Sequence, residues 1–211
     1  YFELLDCYKE NKKNGGSRRD FLEKAAQIEG IYVPAFYDVE YNEDGTLKSF
    51  TPNCPTAKEK IVKQVVADMD SVPYIEKPLV PFIKVTQDRV VLEIQRGCIR
   101  GCRFCQAGMV YRPVRERDVE RLKQLAVTML HNTGYDEISL SSLSSSDYSK
   151  LPELVNFLIE ECSKRKINIS LPSLRIDAFS LDVMSKVQDV KKSSLTFAPE
   201  AGTQRLRDVI N

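Results

Sequence analysis

The chain has 211 residues, a hydrophobic content of 42% and a formal net charge of +1 that results from 31 basic and 30 acidic residues. This composition supports a folded core of one domain or two small ones, and the balanced charge gives no whole-chain signature of nucleic-acid binding. No apolar run reaches the ~18 residues of a membrane span, no signal peptide opens the chain and the cysteines do not form a secreted disulfide pattern, so we expect a cytoplasmic protein without a membrane partner.

The first part of the chain is predicted to combine helices with a β-hairpin. Residues 1–30 are predicted to be helical with one break, after which Ser17 or Asp20 caps the second helix. Residues 36–41 and 47–50 alternate in polarity around an Asp-Gly pair, which predicts two antiparallel strands joined by a tight turn.

A less regular stretch follows the hairpin. Residues 61–69 are compatible with a short helix or strand, and the prolines within residues 72–83 predict an extended linker. Cys54 lies between two prolines in a predicted loop, so we expect an exposed, isolated thiol there.

From Val90 onward, predicted strands alternate with amphipathic helices. The predicted order is strand 90–95, a cysteine-containing loop, helix 116–132, strand 137–141, helix 151–166, strand 168–171, helix 181–190, strand 194–198 and the start of a helix at 203. Such alternation predicts parallel βα units, which right-handed crossovers would roll into a barrel or a part of one. We therefore predict an α/β fold, a partial parallel βα barrel preceded by a small α+β segment.

Three cysteines at C-x3-C-x2-C spacing, Cys98, Cys102 and Cys105, lie in the loop after the first strand of this pattern. Thiolates bind soft metals, and a compact run without a second pair of ligands favours an iron–sulfur cluster over zinc. A cluster of four irons held by three cysteines keeps one iron open to another ligand. The alternatives are a structural metal knuckle and a reduced, cysteine-rich loop without metal.

This C-x3-C-x-aromatic-C run resembles the signature of the radical S-adenosylmethionine (SAM) superfamily. Residues 199–211 resemble a segment of members that carry a cobalamin-binding domain upstream, and residues 136–147 resemble an uncharacterised branch known only as Fe–S oxidoreductases. The resemblance implies a truncated, radical SAM-type TIM-like barrel in residues 80–211, lacking its C-terminal part. Residues 1–79 would then be a linker or α+β segment that follows a cobalamin-binding domain absent from this sequence.

The resemblance also implies the cofactors. Cys98, Cys102 and Cys105 would ligate a 4Fe–4S cluster whose open iron binds SAM, and an electron from a donor such as flavodoxin or ferredoxin would cleave SAM to a 5′-deoxyadenosyl radical. The only histidine is His131, and no Asp-x-His-x-x-Gly cobalamin motif exists. Cobalamin would therefore be bound only by sequence outside this chain.

Several SAM contacts follow by resemblance at strand ends. Phe104 would lie near the adenine, with packing under the loop as the alternative. Ser141 and Ser142 end the second strand, where most members have a Gly-Gly-Glu-like segment. The glycines and the acid are missing here, so backbone carbonyls would serve, unless the serines line a substrate loop or form only a polar turn.

Two charged residues complete the predicted SAM site. Arg175 follows the third strand and carries a planar guanidinium suited to the SAM carboxylate, whereas the alternative is an ion pair with Asp177. Glu200 follows the fourth strand, where relatives place a residue that hydrogen-bonds SAM, and a surface acid is the alternative.

Arginines are concentrated around the cysteine run, at positions 96, 100, 103, 112, 115 and 117. They could offset the charge of a thiolate-bound cluster or meet an anionic substrate such as RNA or a ribosomal component, but a solvated charged face is the commoner explanation. The leading hypothesis is a radical SAM enzyme of unknown substrate. A single-cluster electron-transfer protein and a structural metal-binding interaction module are the alternatives, and each would require a fourth ligand.

Overall fold

The structure, a computed structural model, describes residues 1–175, 185, 187 and 199–210. The chain divides into two compact units, Tyr1–Val66 and Ala67–Asn211. The predicted strand 194–198 and most of the predicted helix 181–190 lie outside the described residues. No helix in the described part of the chain is both long enough and apolar enough to cross a membrane.

The first unit contains the predicted helices and hairpin. Helix α1 spans Phe2–Lys13 and α2 spans Arg18–Ala25. Ser17 caps α2 in a capping box, because its hydroxyl accepts from the backbone N–H of Asp20 while the Asp20 carboxylate accepts from the N–H of Ser17. Strands β1, Tyr37–Tyr41, and β2, Leu47–Pro52, form the antiparallel hairpin.

Cys54 does not have the exposed thiol that the sequence predicted. It is 6% exposed and belongs to a small apolar cluster with Ala26, Phe36 and Tyr37. Its sulfur lies 3.2 Å from the hydroxyl oxygen of Thr56. The prediction was wrong because apolar side chains from α2 and the hairpin cover the loop, and a buried thiol then packs as a small hydrophobic group.

The described elements of the second unit keep the predicted order. They are β3 (Val90–Glu93), β4 (Gln95–Arg96), α3 (Ala107–Val110), β5 (Arg115–Glu116), α4 (Val119–Thr133), β6 (Glu137–Ser141), α5 (Leu151–Ser163), β7 (Asn168–Ser170) and α6 (Gln204–Ile210). The first predicted strand is, however, divided into β3 and β4, and α3 and β5 were not predicted. Residues 61–69, predicted as a helix or strand, form neither, and residues 72–83 lack regular structure, as predicted.

A parallel sheet in the order β3-β6-β7 organises the second unit. Alternate residues of these strands, represented by Leu92, Leu140 and Ile169, pack with helices α4 and α5 in one buried cluster. Helices on one face of a parallel sheet are the layering expected of βα units. This mixed α/β architecture is consistent with a partial barrel, whose closure stays a prediction.

The ends of α4 explain why that helix forms where it does. The Asp118 carboxylate accepts from the backbone N–H groups of Glu120 and Arg121, which stabilises the first turn. Gly134 ends the helix in the left-handed conformation with φ of 70°, which glycine adopts without strain.

Tyr74 fastens the segment before the sheet to strand β3. Its hydroxyl accepts from the N–H of Glu93 at 3.0 Å and donates to the carbonyl of Val91 at 2.9 Å. The guanidinium of Arg117 lies 4.9 Å from the centre of the Tyr74 ring and donates to the carbonyl of Met69. The Arg117 side chain is only 2% exposed, so for this arginine the solvated-face interpretation was wrong.

Candidate functional site

The predicted site residues follow the carboxyl ends of the parallel strands. Residues 97–105, here called the cysteine loop, come after β3 and β4, residues 142–147, here called the serine turn, come after β6, and Arg175 comes after β7. Parallel strands bring such segments to one edge of a sheet. Hydrogen bonds between the three segments show that the fold brings them together.

The cysteine loop begins at a position where only glycine fits. Gly97 has φ of 84°, and a Cβ atom there would lie 2.7 Å from the carbonyl oxygen of Tyr111 and 2.8 Å from that of Pro113. Both neighbours are backbone atoms and cannot rotate away. The backbone of the loop therefore lies directly against the segment before β5.

The three thiols of the loop are free and half-buried. The backbone N–H of Arg100 points to Sγ of Cys98 at 3.4 Å, and a guanidinium nitrogen of Arg175 lies 3.6 Å from Sγ of Cys102. The N–H of Cys105 donates to the carbonyl of Cys102 at 2.9 Å and closes a tight turn. The thiolate is the form that binds metals, and N–H and guanidinium groups at these positions can donate hydrogen bonds to ligand sulfurs.

Arginines hold the backbone of this region. Arg112 donates to the carbonyl of Arg100 at 2.9 Å, and Arg115 donates to the carbonyls of Tyr111 and Pro113. For Arg112 and Arg115, therefore, a purely solvated face does not describe the contacts. Sequence reasoning missed this function because the bonded carbonyls have no side-chain pattern that marks them.

An ion pair joins the cysteine loop to the serine turn. Arg100 donates through two nitrogens to the carboxylate of Asp147, with Nε 2.9 Å from Oδ2, and the Asp147 side chain is 6% exposed. Hydrogen bonding with Arg100 holds the pKa of Asp147 below its ordinary value. The sequence offered one signal for this residue, since Asp147 is the single acid of the serine turn.

The residues predicted to contact the adenine and methionine parts of SAM lie in different environments. Phe104 is 61% exposed, so it does not pack in the core under the loop. The carbonyl of Ser141 accepts from the N–H of Ile94 at 3.0 Å, and the Ser142 hydroxyl lies 3.0 Å from that of Ser145. The assignment of Phe104, Ser141 and Ser142 to SAM stays a prediction.

Arg175 and Glu200 differ in their relation to the cysteine loop. The backbone N–H of Arg175 donates to the Ser146 hydroxyl at 3.1 Å while its side chain reaches Cys102. The alternative partner, Asp177, lies outside the described residues. Glu200 is exposed with φ of 65°, and no hydrogen bond or ion pair within the described part of the chain joins it to the cysteine loop. Helix α6 does reach the loop, since the N–H of Arg103 donates to the carbonyl of Ile210 at 3.1 Å.

The donor set fits a thiolate-bound cluster by its chemistry. Three cysteines on one loop, with N–H and guanidinium donors at two of the sulfurs, provide the soft ligands that iron–sulfur clusters use. No three His, Cys, Asp or Glu side chains among the described residues are grouped as a site for one metal ion. Residues 98, 102 and 105 would hold the cluster, and the guanidinium of Arg175 reaches Sγ of Cys102 from outside the loop.

Comparison with known proteins identifies the class to which this fold and loop belong. The sequence model of the radical SAM superfamily matches residues 92–211. Because this match covers more than half of the chain, the protein belongs to the radical SAM superfamily, which confirms the resemblance of the cysteine run. Membership indicates an enzyme and implies a 4Fe–4S cluster and SAM as cofactors.

Two relatives from Methanocaldococcus jannaschii were found. An uncharacterised protein is 40% identical over 120 residues, which are 57% of this chain and 26% of that protein. A protein named "Putative methylthiotransferase" is 25% identical in an alignment of 126 residues that covers 56% of this chain and 27% of that protein. The matched region thus spans about a quarter of the length of either relative.

Proposed function

We propose that this protein is a radical SAM enzyme whose Cys98, Cys102 and Cys105 hold a 4Fe–4S cluster that reductively cleaves SAM. The observation that carries the proposal is the meeting of the cysteine loop and Arg175 at one end of the parallel sheet, with 3.6 Å between the guanidinium and Sγ of Cys102. When bound, the cluster would supply the electron that breaks the sulfonium C–S bond of SAM and yields a 5′-deoxyadenosyl radical.

The residues of this chain would bind and orient the cofactors. The cysteine thiolates would occupy three irons, while Arg175 would pair with the SAM carboxylate through its planar guanidinium. Phe104, with its exposed ring, would be available to stack on the adenine. Ser141 and Ser142 would contribute at the end of β6, and Glu200 would accept a hydrogen bond from SAM.

An electron donor such as flavodoxin or ferredoxin is part of this proposal, and so is cobalamin bound outside the present sequence. For cobalamin the support is the resemblance of residues 199–211 alone. Methylthio transfer is a second candidate reaction, supported by the name of one relative. Label transferred from methyl-labelled SAM to an RNA or protein acceptor would support it.

Anaerobic reconstitution with iron and sulfide tests the proposal. Wild-type protein should take up about four irons, as a 4Fe–4S cluster requires, and should form 5′-deoxyadenosine from SAM and dithionite. Cys102→Ala should lose both properties, whereas Cys7→Ala, a matched change on helix α1, should keep them.

The alternatives give different results in the same experiment. Cluster assembly without SAM cleavage would favour the electron-transfer protein, and tight binding of one zinc ion would favour the structural module. Full iron content in Cys102→Ala would contradict the assignment of the ligands.

A further inference from the structure

The serine turn contacts the two parts of the candidate site that come from different strands. Through Asp147 it binds Arg100, which lies between Cys98 and Cys102 in the cysteine loop. Through Ser146 it accepts from the backbone N–H of Arg175 at 3.1 Å. One short turn therefore joins the metal-binding loop to the residue proposed for the SAM carboxylate.

The environment of Asp147 fixes the direction of its carboxylate. The Ser144 hydroxyl donates to Oδ2 at 2.8 Å, and the Ser144 carbonyl accepts from the side-chain amide of Gln95 at 2.6 Å. Gln95 and Ser144 are themselves buried. A carboxylate that is nearly buried and hydrogen-bonded within its own turn has little freedom to follow a moving loop, so it restrains Arg100 instead.

The serine turn is joined to the segment before Arg175 by hydrogen bonds of backbone and hydroxyl groups. The N–H of Ser145 donates to the carbonyl of Ser173 at 3.2 Å, and the Ser146 hydroxyl receives the N–H of Arg175. These bonds hold the backbone of residues 173–175, while the Arg175 guanidinium extends to Cys102. Positions of both cofactor-binding parts thus depend on the same turn.

We propose that Asp147 is a positioning residue that orders the cysteine loop before any cluster binds and aligns that loop with Arg175. Ser146 contributes to the same alignment, since its hydroxyl accepts from the N–H of Arg175 and so fixes the backbone from which the Arg175 side chain extends. The effect on the metal-free loop is independent of the proposed function, whereas the effect on SAM binding rests on it.

Hydrogen–deuterium exchange of the metal-free, full-length chain tests the first effect. The reporters are the hydrogen-bonded amides of Arg103 and Cys105. Asp147→Asn keeps the size of the side chain but removes its charge, and exchange of the reporters should become about tenfold faster, which corresponds to about 1.4 kcal/mol. Arg100→Gln changes a partly exposed loop residue and should give the same result if Asp147→Asn fails to fold.

Two variants show whether the effect is specific. Glu76→Gln removes the carboxylate of a more exposed ion pair in the same unit, with Arg121 of α4 at 2.8 Å, and should leave the reporter amides unchanged. Ser146→Ala should speed exchange of the Arg175 amide without affecting Arg103 and Cys105. Unchanged reporter exchange in Asp147→Asn, or in Arg100→Gln where the former does not fold, would overturn the positioning role.

Reconstituted protein tests the second effect. Asp147→Asn should retain the iron content of the wild type but bind SAM about tenfold more weakly, as seen in the SAM-dependent change of the electron-spin spectrum. Unchanged SAM affinity would overturn the alignment with Arg175. If the wild type assembled no cluster, the proposed function would fail, and the exchange experiment would still decide the role of Asp147 in the metal-free loop.

Discussion

Gly97→Ala should destabilise the second unit and disorganise the cysteine loop. An alanine at φ of 84° costs roughly 1–2 kcal/mol because its Cβ crowds the following carbonyl. The same Cβ would meet the carbonyl oxygens of Tyr111 and Pro113 at 2.7 and 2.8 Å, so the backbone must shift. Such overpacking typically adds about 1–3 kcal/mol, which gives a total loss of about 2–5 kcal/mol.

Gly134→Ala is the matched control for this prediction. Gly134 lies in the same unit with φ of 70°, but a Cβ there would have nothing within 4 Å. The control therefore carries the conformational cost without the steric one. Urea unfolding followed by circular dichroism should place Gly97→Ala about 1–3 kcal/mol below Gly134→Ala, and iron uptake should fall only in Gly97→Ala. Equal stability and equal iron uptake of the two variants would refute the steric argument.

Three further predictions concern the site and the cysteines. Arg175→Ala should keep the cluster but weaken SAM binding about tenfold to a hundredfold, because a lost charge-assisted hydrogen bond costs roughly 1.5–3 kcal/mol. Arg175→Lys should restore SAM binding only in part. Unchanged SAM affinity of Arg175→Ala in a titration would contradict this prediction. Hydrogen bonding with Arg100 lowers the pKa of Asp147, helped by Ser144 and the charge of Arg175 and opposed by desolvation. The contribution of the Asp147 carboxylate to the free energy of unfolding is therefore complete above the ordinary carboxyl pKa and is lost as pH falls through the lowered pKa. The difference in unfolding free energy between the wild type and Asp147→Asn should accordingly be constant near neutral pH and shrink in acid, and a pH-independent difference would argue against the ion pair. Burial raises the pKa of Cys162 to about 11, so iodoacetamide at mildly alkaline pH should spare it in the native, metal-free protein while labelling Cys98, Cys102 and Cys105, as peptide mass spectrometry would measure.

Elements set by neighbouring residues could be predicted from the sequence. Strand β6 spans the predicted residues, and α4 lies within three residues of its predicted start because Asp118 and Gly134 mark its ends locally. The capping box of α2 was also recognisable, since both partners lie within one helical turn. In the same way, the spacing of the three cysteines within one loop was sufficient to indicate the superfamily.

Contacts between distant residues could not be predicted. Arg100 and Asp147 are 47 residues apart, and Arg117 is 48 residues from Met69, so no local pattern links them. Burial of Arg117 and of Cys54 likewise depends on which segments pack over them. The sequence therefore indicated the candidate ligands of the site, which stay a prediction, while the residues that hold the cysteine loop in place became visible only in the fold.

The Tyr74 hydroxyl has a consequence for how the sheet can grow. It occupies the Val91 carbonyl and the Glu93 N–H, two of the backbone groups that β3 would offer to a strand on the side away from β6. A strand arriving there would have to displace a side chain that is also held by Arg117. Among the described residues β3 is an edge strand of the sheet, and we expect further strands to be added more easily beside β7 than beside β3. The same hydroxyl shields that margin from edge-to-edge pairing with another copy of the chain, the route by which exposed strands aggregate.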